Sequence, residues 1–333
     1  PSPAPTPAPT PSPTPEPWTW EHGSSEEHRL DGAVLTALHD RLDDTQVQSC
    51  VIVRDGTIVD EYFKEGYDET TLFTLQSCSK SVTSALVGIA IEQGYLPGVD
   101  VPIAGYFPQL LEAEDERLQD ITIRHLLTHT SGLQSTDSSL WSQWRASDDW
   151  VAFLFERPLA AAPGTTFDYS TGNTHLLSVI LEQATGMSLM EYGRQVLFGP
   201  MEMDSVQCGT DPQGNADGGN GFSMNVYDMA KFGQLYLDGG VWRGEQLVPA
   251  DWVEQSTTVQ FDLSRDRSDY GYQWWVRTFG QGDHPAYFAQ GHWGQFIFVV
   301  PDLELVVVFT SHHEGSSDMY WQFVNDIVDA CAP

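Results

Sequence analysis

Four consecutive residues, Ser77-Cys78-Ser79-Lys80, carry the pattern of an activated nucleophile. A serine hydroxyl attacks a carbonyl poorly until a base takes its proton, and a lysine can serve when burial lowers its pKa. On a helix, positions i and i+3 share a face, so the Ser77 hydroxyl and the Lys80 amine can approach each other. A helix N-terminus adds unpaired backbone N–H groups and a positive dipole end beside the reacting oxygen. Ser-x-x-Lys alone arises by chance in many proteins, although this chain holds only three lysines, Lys64, Lys80 and Lys231. Cys78 competes for the role, because a thiolate is favoured near a helix N-terminus.

Two other segments have chemical potential. Tyr169-Ser170-Thr171-Gly172-Asn173 stands just before a helix expected from Leu176, and a tyrosine on such a loop can pass a proton between nucleophile, lysine and leaving group. A tyrosine packed beneath its loop is the ordinary alternative. Gly291-His292-Trp293-Gly294-Gln295 leads into an apolar strand, and its glycines let the backbone come close enough to offer an N–H to an oxyanion. His292 is equally compatible with a hydrogen-bonded loop histidine. His312-His313-Glu314 is compact, but adjacent strand side chains point to opposite faces, so no metal is assigned there. No phosphate-binding glycine loop or dinucleotide fingerprint is present, and no cofactor is expected.

These segments need elements to hold them. Asp31 to Asp44 has helical periodicity through Val34, Leu35, Leu38 and Leu42. Cys50–Arg54 and Thr57–Phe63 are β-rich runs separated by Asp55-Gly56, a strong hairpin signal. Ser77 to Gly94 returns to helical spacing, and residues 95–235 read mostly as helix and loop, with helices at Ile123–Leu127, Leu176–Ala184 and Met224–Leu237. Strands reappear at Gly271–Arg277, Gln295–Val300 and Leu303–Thr310, before a closing helix from Ser317 to about Ala330. The expected fold is α+β: an antiparallel sheet assembled from both termini, flanked by helices, with a mostly helical lobe inserted. Residues 30–76 with 236–333 would form the sheet lobe, 77–235 the helical lobe, and 1–29 a linker and N-terminal extension. A catalytic cleft belongs at the lobe boundary.

The three motifs, in this order and at these separations, resemble the serine β-lactamase and penicillin-binding-protein superfamily. The stretches His125-Leu126-Leu127-Thr128-His129-Thr130-Ser131-Gly132-Leu133 and Tyr227-Asp228-Met229-Ala230-Lys231-Phe232-Gly233 resemble runs of its class C-like members. The resemblance covers roughly residues 30 to 330. It implies that Ser77 attacks the carbonyl and that Lys80 accepts or relays its proton. It further implies Tyr169 as base and as acid toward the leaving group, and the N–H groups of Ser77 and Gln295 as the oxyanion hole. His292 stands where β-lactamases usually carry the lysine of Lys-Thr-Gly, and a histidine near neutral pH is only partly charged. Thr171 stands where class C enzymes carry asparagine, with Asn173 as a nearby substitute. Both departures look more like the esterases and 6-aminohexanoate-dimer hydrolases of the superfamily. The implied activity is hydrolysis of a small ester or linear amide. The alternatives are a β-lactamase, a D-amino-acid-specific peptidase or a slowly deacylating receptor. Trp141, Trp144 and Trp150 crowd one region, and Trp274, Trp275 and Trp293 lie near the third motif. Thr171, Asn173, Trp144, Trp293 and Gly294 are therefore the candidate substrate contacts.

Composition limits the partners. The 333 residues hold 47 acidic against 15 basic side chains, a formal charge of −32, which argues against nucleic acids and anionic membranes. Such a surface suits a salty habitat and equally an ordinary acidic exported protein. No apolar run approaches the length of a membrane span. The first seventeen residues alternate Pro with Ala, Thr and Ser, so an extended spacer after a removed targeting segment is expected, in a secreted or periplasmic protein. Four cysteines suit that compartment. The pairing Cys50–Cys331 is expected, because a first strand and a last helix often lie side by side, which leaves Cys78–Cys208. Buried free thiols are the alternative. Oligomeric state is not encoded in any pattern found.

Overall fold

Asp55 and Gly56 both have positive φ, 51° and 74°, the left-handed pair that a two-residue hairpin turn needs. They join β1 (Val47–Arg54) to β2 (Thr57–Phe63) in a computed structural model that describes residues 18–263 and 268–331. The Pro-rich segment read as a spacer lies outside the described residues. Late in the chain come β3 (Asp269–Tyr270), β4 (Trp275–Phe279), β5 (His284–Gly291), β6 (Gln295–Val300) and β7 (Leu305–Ser311). All seven strands form one antiparallel sheet in the order β2-β1-β7-β6-β5-β4-β3. The first strand pairs with the last, Val51 opposite Val308, so the sheet exists only once the two ends of the chain meet.

The central strands read as unbroken apolar runs because both faces are covered. Ile52, Phe296, Phe298, Val307 and Phe309 point to the side packed by α1 (Gly32–Asp43) and the closing helix Asp318–Asp329. Val51, Val53, Ile297, Val299, Val306 and Val308 point the opposite way, toward the core of the helical region. That region contributes α2 (Ser79–Glu92), α3 (Thr171–Thr185) and α4 (Val226–Leu237); the closing helix is α5. The period of two is intact, but burial on both faces hides it from composition. α4 lies on the sheet beside β7 and β6, where Gly233 leaves room for Val306 and Ile297.

The structure departs from the sequence reading in four places. The strand expected over Gly271–Arg277 is broken, since residues 271–274 are a non-strand link and only Trp275–Arg277 is strand, within β4. β5 was not foreseen: His284–Gly291 contains Pro285 near its start and Gly291 at its end, both poor strand formers, and tertiary pairing overrides them. α3 begins at Thr171, five residues before the expected start, so the tyrosine segment runs straight into the helix. Neither expected disulfide is formed, and all four cysteines are free thiols. Cys78 Sγ points to Gln295 O at 3.3 Å, Cys331 Sγ to Ile327 O at 3.3 Å, and Cys208 Sγ to Gly209 O at 3.4 Å, while Cys50 is sealed within β1.

Residues 18–30 pack on the fold. Ile58 of edge strand β2 exchanges backbone bonds with Glu21 and Gly23, and Trp20 is buried in the main core. This covers an otherwise open sheet edge. Among the described residues, no helix is long and apolar enough to cross a membrane.

Candidate active site

Ser77 lies in a short 3-10 turn, Gln76–Cys78, that feeds α2. The preceding Gln76 has φ of +49°, a left-handed backbone rarely adopted by a side-chain-bearing residue and costing on the order of 1–3 kcal/mol. The surroundings hold the turn in place. Leu75 N–H donates to Phe222 O at 2.8 Å, Phe222 N–H donates to Ser79 Oγ at 3.1 Å, and Cys78 Sγ–H donates to Gln295 O. Cys78 is thus a packing residue, and burial raises its thiol pKa well above the ordinary range, which disfavours the thiolate a nucleophile needs. Small hydroxyls line the buried length of α2. Ser81 donates to Gln273 O, Thr83 to Gly218 O and Ser84 to Tyr272 O, at 2.7, 2.8 and 2.7 Å.

Lys80 is 1% exposed, and its Nζ lies 2.9 Å from Ser77 Oγ. It also contacts Thr171 Oγ1 at 2.9 Å and Gly219 O at 2.8 Å. Burial depresses its pKa to about 8, against the opposing pull of Asp137 and Asp217. A large fraction of the amine is therefore neutral in mildly alkaline solution, which a lysine in water never achieves. Tyr169 precedes α3, with its ring 5.0 Å from the Lys80 amine, and it borders the same cleft as Ser77. Burial, reinforced by the Asp137 charge, raises the phenol pKa far above its ordinary value, so the resting side chain is neutral. Two rings steady it: Trp275 stacks at 5.8 Å, and His129 lies 4.5 Å away. His129 is buried and neutral, its pKa pushed well down by burial and by Lys80.

The third motif forms the turn between β5 and β6, with Gly291 paired to Gln295. Trp293 and Gly294 have φ of +64° and +92°. The end of β5 packs against the Ser77 turn, and a Cβ on Gly291 would stand 2.3 Å from Leu75 O. A backbone oxygen cannot swing aside. Gly291→Ala should fold, by circular dichroism, yet lower kcat/KM by about 10²-fold, because it pushes the strand end away from Ser77.

Ser77, Tyr169, His292, Trp293 and Gly294 open together onto one cleft of ≈ 720 Å³. Trp141 and Trp275 wall it, and Glu314 and Tyr320 are also in its lining. Other candidates from the sequence are placed elsewhere. Trp144 is fully buried against Trp150 and Phe153, and its indole N–H donates to Trp150 O at 3.2 Å, so it is core and not pocket wall. Asn173 is buried too, accepting from Ser131 Oγ at 2.8 Å, and does not replace the asparagine of class C enzymes. Thr171 reaches Lys80 but is itself buried. Gln295 leads β6, and its side chain turns inward to Ser311 O at 2.5 Å, leaving only its backbone for the site.

Asp137 was not recognised from sequence. It borders the cleft and accepts the Thr171 hydroxyl at 2.8 Å and the Thr171 backbone N–H. Ser170, the formal cap of α3, makes no side-chain capping bond, so Asp137 supplies that bond from another loop. The signal was thin: a run Ser135-Thr136-Asp137 of capping-type residues with no helix directly after it.

A buried lysine touching a serine at a helix start, beside a neutral tyrosine and a turn of an antiparallel sheet, defines a hydrolase of the β-lactamase-like class. The beta-lactamase family model matches residues 35–323, and the chain belongs to that family. It is 26% identical over 317 residues to the 6-aminohexanoate-dimer hydrolase of Paenarthrobacter ureafaciens, covering 88% of this chain and 80% of that protein. Among solved structures, a putative 6-aminohexanoate-dimer hydrolase from Bacillus anthracis superposes with a TM-score of 0.76 at 22% identity, over 88% of this chain and 81% of that one. EstCE1, described as a hydrolase with promiscuous acyltransferase activity, superposes with a TM-score of 0.75 at 17% identity, over 92% and 99%. At these identities the structural matches speak to the fold.

Proposed function

We propose that the protein cleaves ester or linear amide bonds of small substrates through an acyl-enzyme on Ser77. The observation that carries this reading is the buried Lys80 amine, depressed in pKa and 2.9 Å from the serine oxygen. Ser77 Oγ attacks the carbonyl carbon while its proton passes to neutral Lys80. The resulting alkoxide sits between the backbone N–H groups of Ser77 and Gln295. Collapse of this intermediate expels the alcohol or amine, which takes a proton from the Tyr169 hydroxyl. The Lys80 ammonium, 5.0 Å from the Tyr169 ring, then returns that proton to the phenolate oxygen, since Ser77 Oγ is by now an ester oxygen with no proton to relay. Because the phenol resists ionisation, Tyr169 acts as donor and relay, and the lysine is the base at rest. Water then attacks the ester in the reverse sense and frees Ser77.

The cleft's charges favour esters and linear amides over β-lactams. Its described lining includes the carboxylates Asp137 and Glu314 and the histidines His292 and His313, with no lysine or arginine. The carboxylate of a β-lactam would find no permanent cation there, whereas tryptophan walls suit an acyl chain. The relative named as a 6-aminohexanoate-dimer hydrolase supports the linear-amide branch. A panel of p-nitrophenyl esters, a linear amide dimer and nitrocefin tests the ranking. Ester or dimer turnover above nitrocefin turnover is expected. Faster nitrocefin turnover would overturn it, and one stoichiometric burst without steady state would mark a receptor.

A further inference from the structure

The three partners of Lys80 are not equivalent. Gly219 offers a carbonyl oxygen, which only accepts. Thr171 Oγ1 carries a proton, but that proton is committed to Asp137 Oδ1 at 2.8 Å, so toward Lys80 this hydroxyl is an acceptor as well. A neutral lysine amine has two N–H donors and one lone pair. Two obligate acceptors take the two N–H groups, and the lone pair is left for the Ser77 hydroxyl. We infer that Asp137 is a positioning residue for the nucleophile: by holding the Thr171 proton, it turns the Lys80 lone pair onto Ser77. The inference rests on the reading of Lys80 as the base.

Asp137 is built in for that task. Its second oxygen accepts the Thr171 backbone N–H and Thr136 Oγ1 at 3.1 Å, and Thr136 Oγ1 in turn accepts Gly172 N–H at 3.0 Å. Its own N–H donates to Ser135 Oγ at 3.1 Å, whose hydroxyl donates to Tyr169 O at 2.5 Å. Residues 135–137 thus cap α3 from outside, where the helix dipole favours a carboxylate. Both Thr171 bonds point at the same carboxylate, so the threonine hydroxyl has one orientation. Without Asp137 it could donate to the lysine lone pair and compete with Ser77.

Asparagine at this position inverts the pattern. Its oxygen must stay on the Thr171 N–H, which leaves the amide N–H groups facing Thr171 Oγ1 and frees the threonine proton for Lys80. The change also removes a negative charge. The charged and titratable groups around Lys80 are Asp137, Asp217, Cys78, Tyr169 and His129, with Asp217 already paired to Arg145 at 2.6 Å. Losing the Asp137 carboxylate destabilises the lysine cation, so the pH limb governed by Lys80 moves toward acid.

The test reads Ser77 reactivity without assuming a substrate. The rate of Ser77 modification by a p-nitrophenyl alkylphosphonate is followed against pH in the full chain, with the modified residue located by mass spectrometry. Thr171→Val keeps the backbone cap and should slow modification by about tenfold or more, and Thr171→Ser should restore most of the loss. Asp137→Asn should slow it by ~10–10²-fold and shift the limb to lower pH. The double variant should be no more than about threefold slower than the slower single one, since both remove the same arrangement. Modification of Thr171→Val at the wild-type rate, or single losses that multiply in the double variant, would overturn the inference. A purely structural role for Asp137 would lower the rate in Asp137→Asn while leaving Thr171→Val at the wild-type rate. Should Asp137→Asn fail to fold, the threonine pair decides alone. Wild-type protein that reacts elsewhere than Ser77 sinks the underlying reading instead, which keeps the two failures apart.

Discussion

Ser77→Ala is expected to lower kcat/KM for an activated ester by ~10⁴-fold or more, and to abolish labelling by a phosphonate ester. The size follows from the chemistry: without the hydroxyl there is no acyl-enzyme, and the oxyanion donors and cleft can only assist attack by water. Ser77 is small, and its neighbours hold the turn through Leu75, Cys78 and Ser79, so the variant should keep its fold. Ester cleavage that survives the substitution would remove the nucleophile assignment. The same measurement on Cys78→Ala separates the two adjacent candidates, because the thiol packs on Gln295 and should contribute to stability and not to the chemistry.

Lys80→Met is expected to cost about 10³-fold in kcat/KM and to erase the rise in activity centred near pH 8 that the wild-type protein should show. The direction is set by which form works: the base must be neutral, so activity climbs as the ammonium deprotonates. The same group leaves a mark on stability. Its folded pKa is about 8, below the ordinary 10.5, because a buried cation lacks its water. Below pH 8 both folded and unfolded chains hold the proton, and the folded one carries the full cost of burying the charge. Between about pH 8 and 10.5 the unfolded chain still binds a proton that the folded chain has lost, so stability rises with pH across that window. Relative to Lys80→Met, the wild type should gain roughly 2–3 kcal/mol between pH 7 and pH 10 in denaturant unfolding. A constant difference across that range would mean that the lysine is not depressed in the folded state. The fold thus retains a destabilising buried amine where the proposed mechanism uses a base.

Legibility in the sequence followed the range of the interaction. Ser77 and Lys80 were readable because their encounter is helical, and i to i+3 spacing determines it. Asp55-Gly56 was readable because a hairpin turn is decided by two backbone angles. β5 was hidden because its pairing with β4 and β6 compensates for a proline and a glycine that weaken it locally. Trp144 misled: a tryptophan among tryptophans fits a core as well as a pocket, and only its burial distinguishes them. The cysteines misled for a similar reason, since composition says nothing of where each Sγ points.

The sequence by itself located the Ser77–Lys80 pair, the tyrosine segment and the superfamily, because each is written in short spacings that local geometry enforces. Tertiary structure alone decided what tunes them. Lys80 lies at the meeting of α2, α3 and the Gly219 loop, and its depressed pKa follows from how completely those segments exclude water. Asp137 reaches the site from a loop distant in sequence, and Gly291 brings a late strand against an early turn. Burial and proton direction belong to the assembled fold, since each depends on several segments at once and no single segment encodes it.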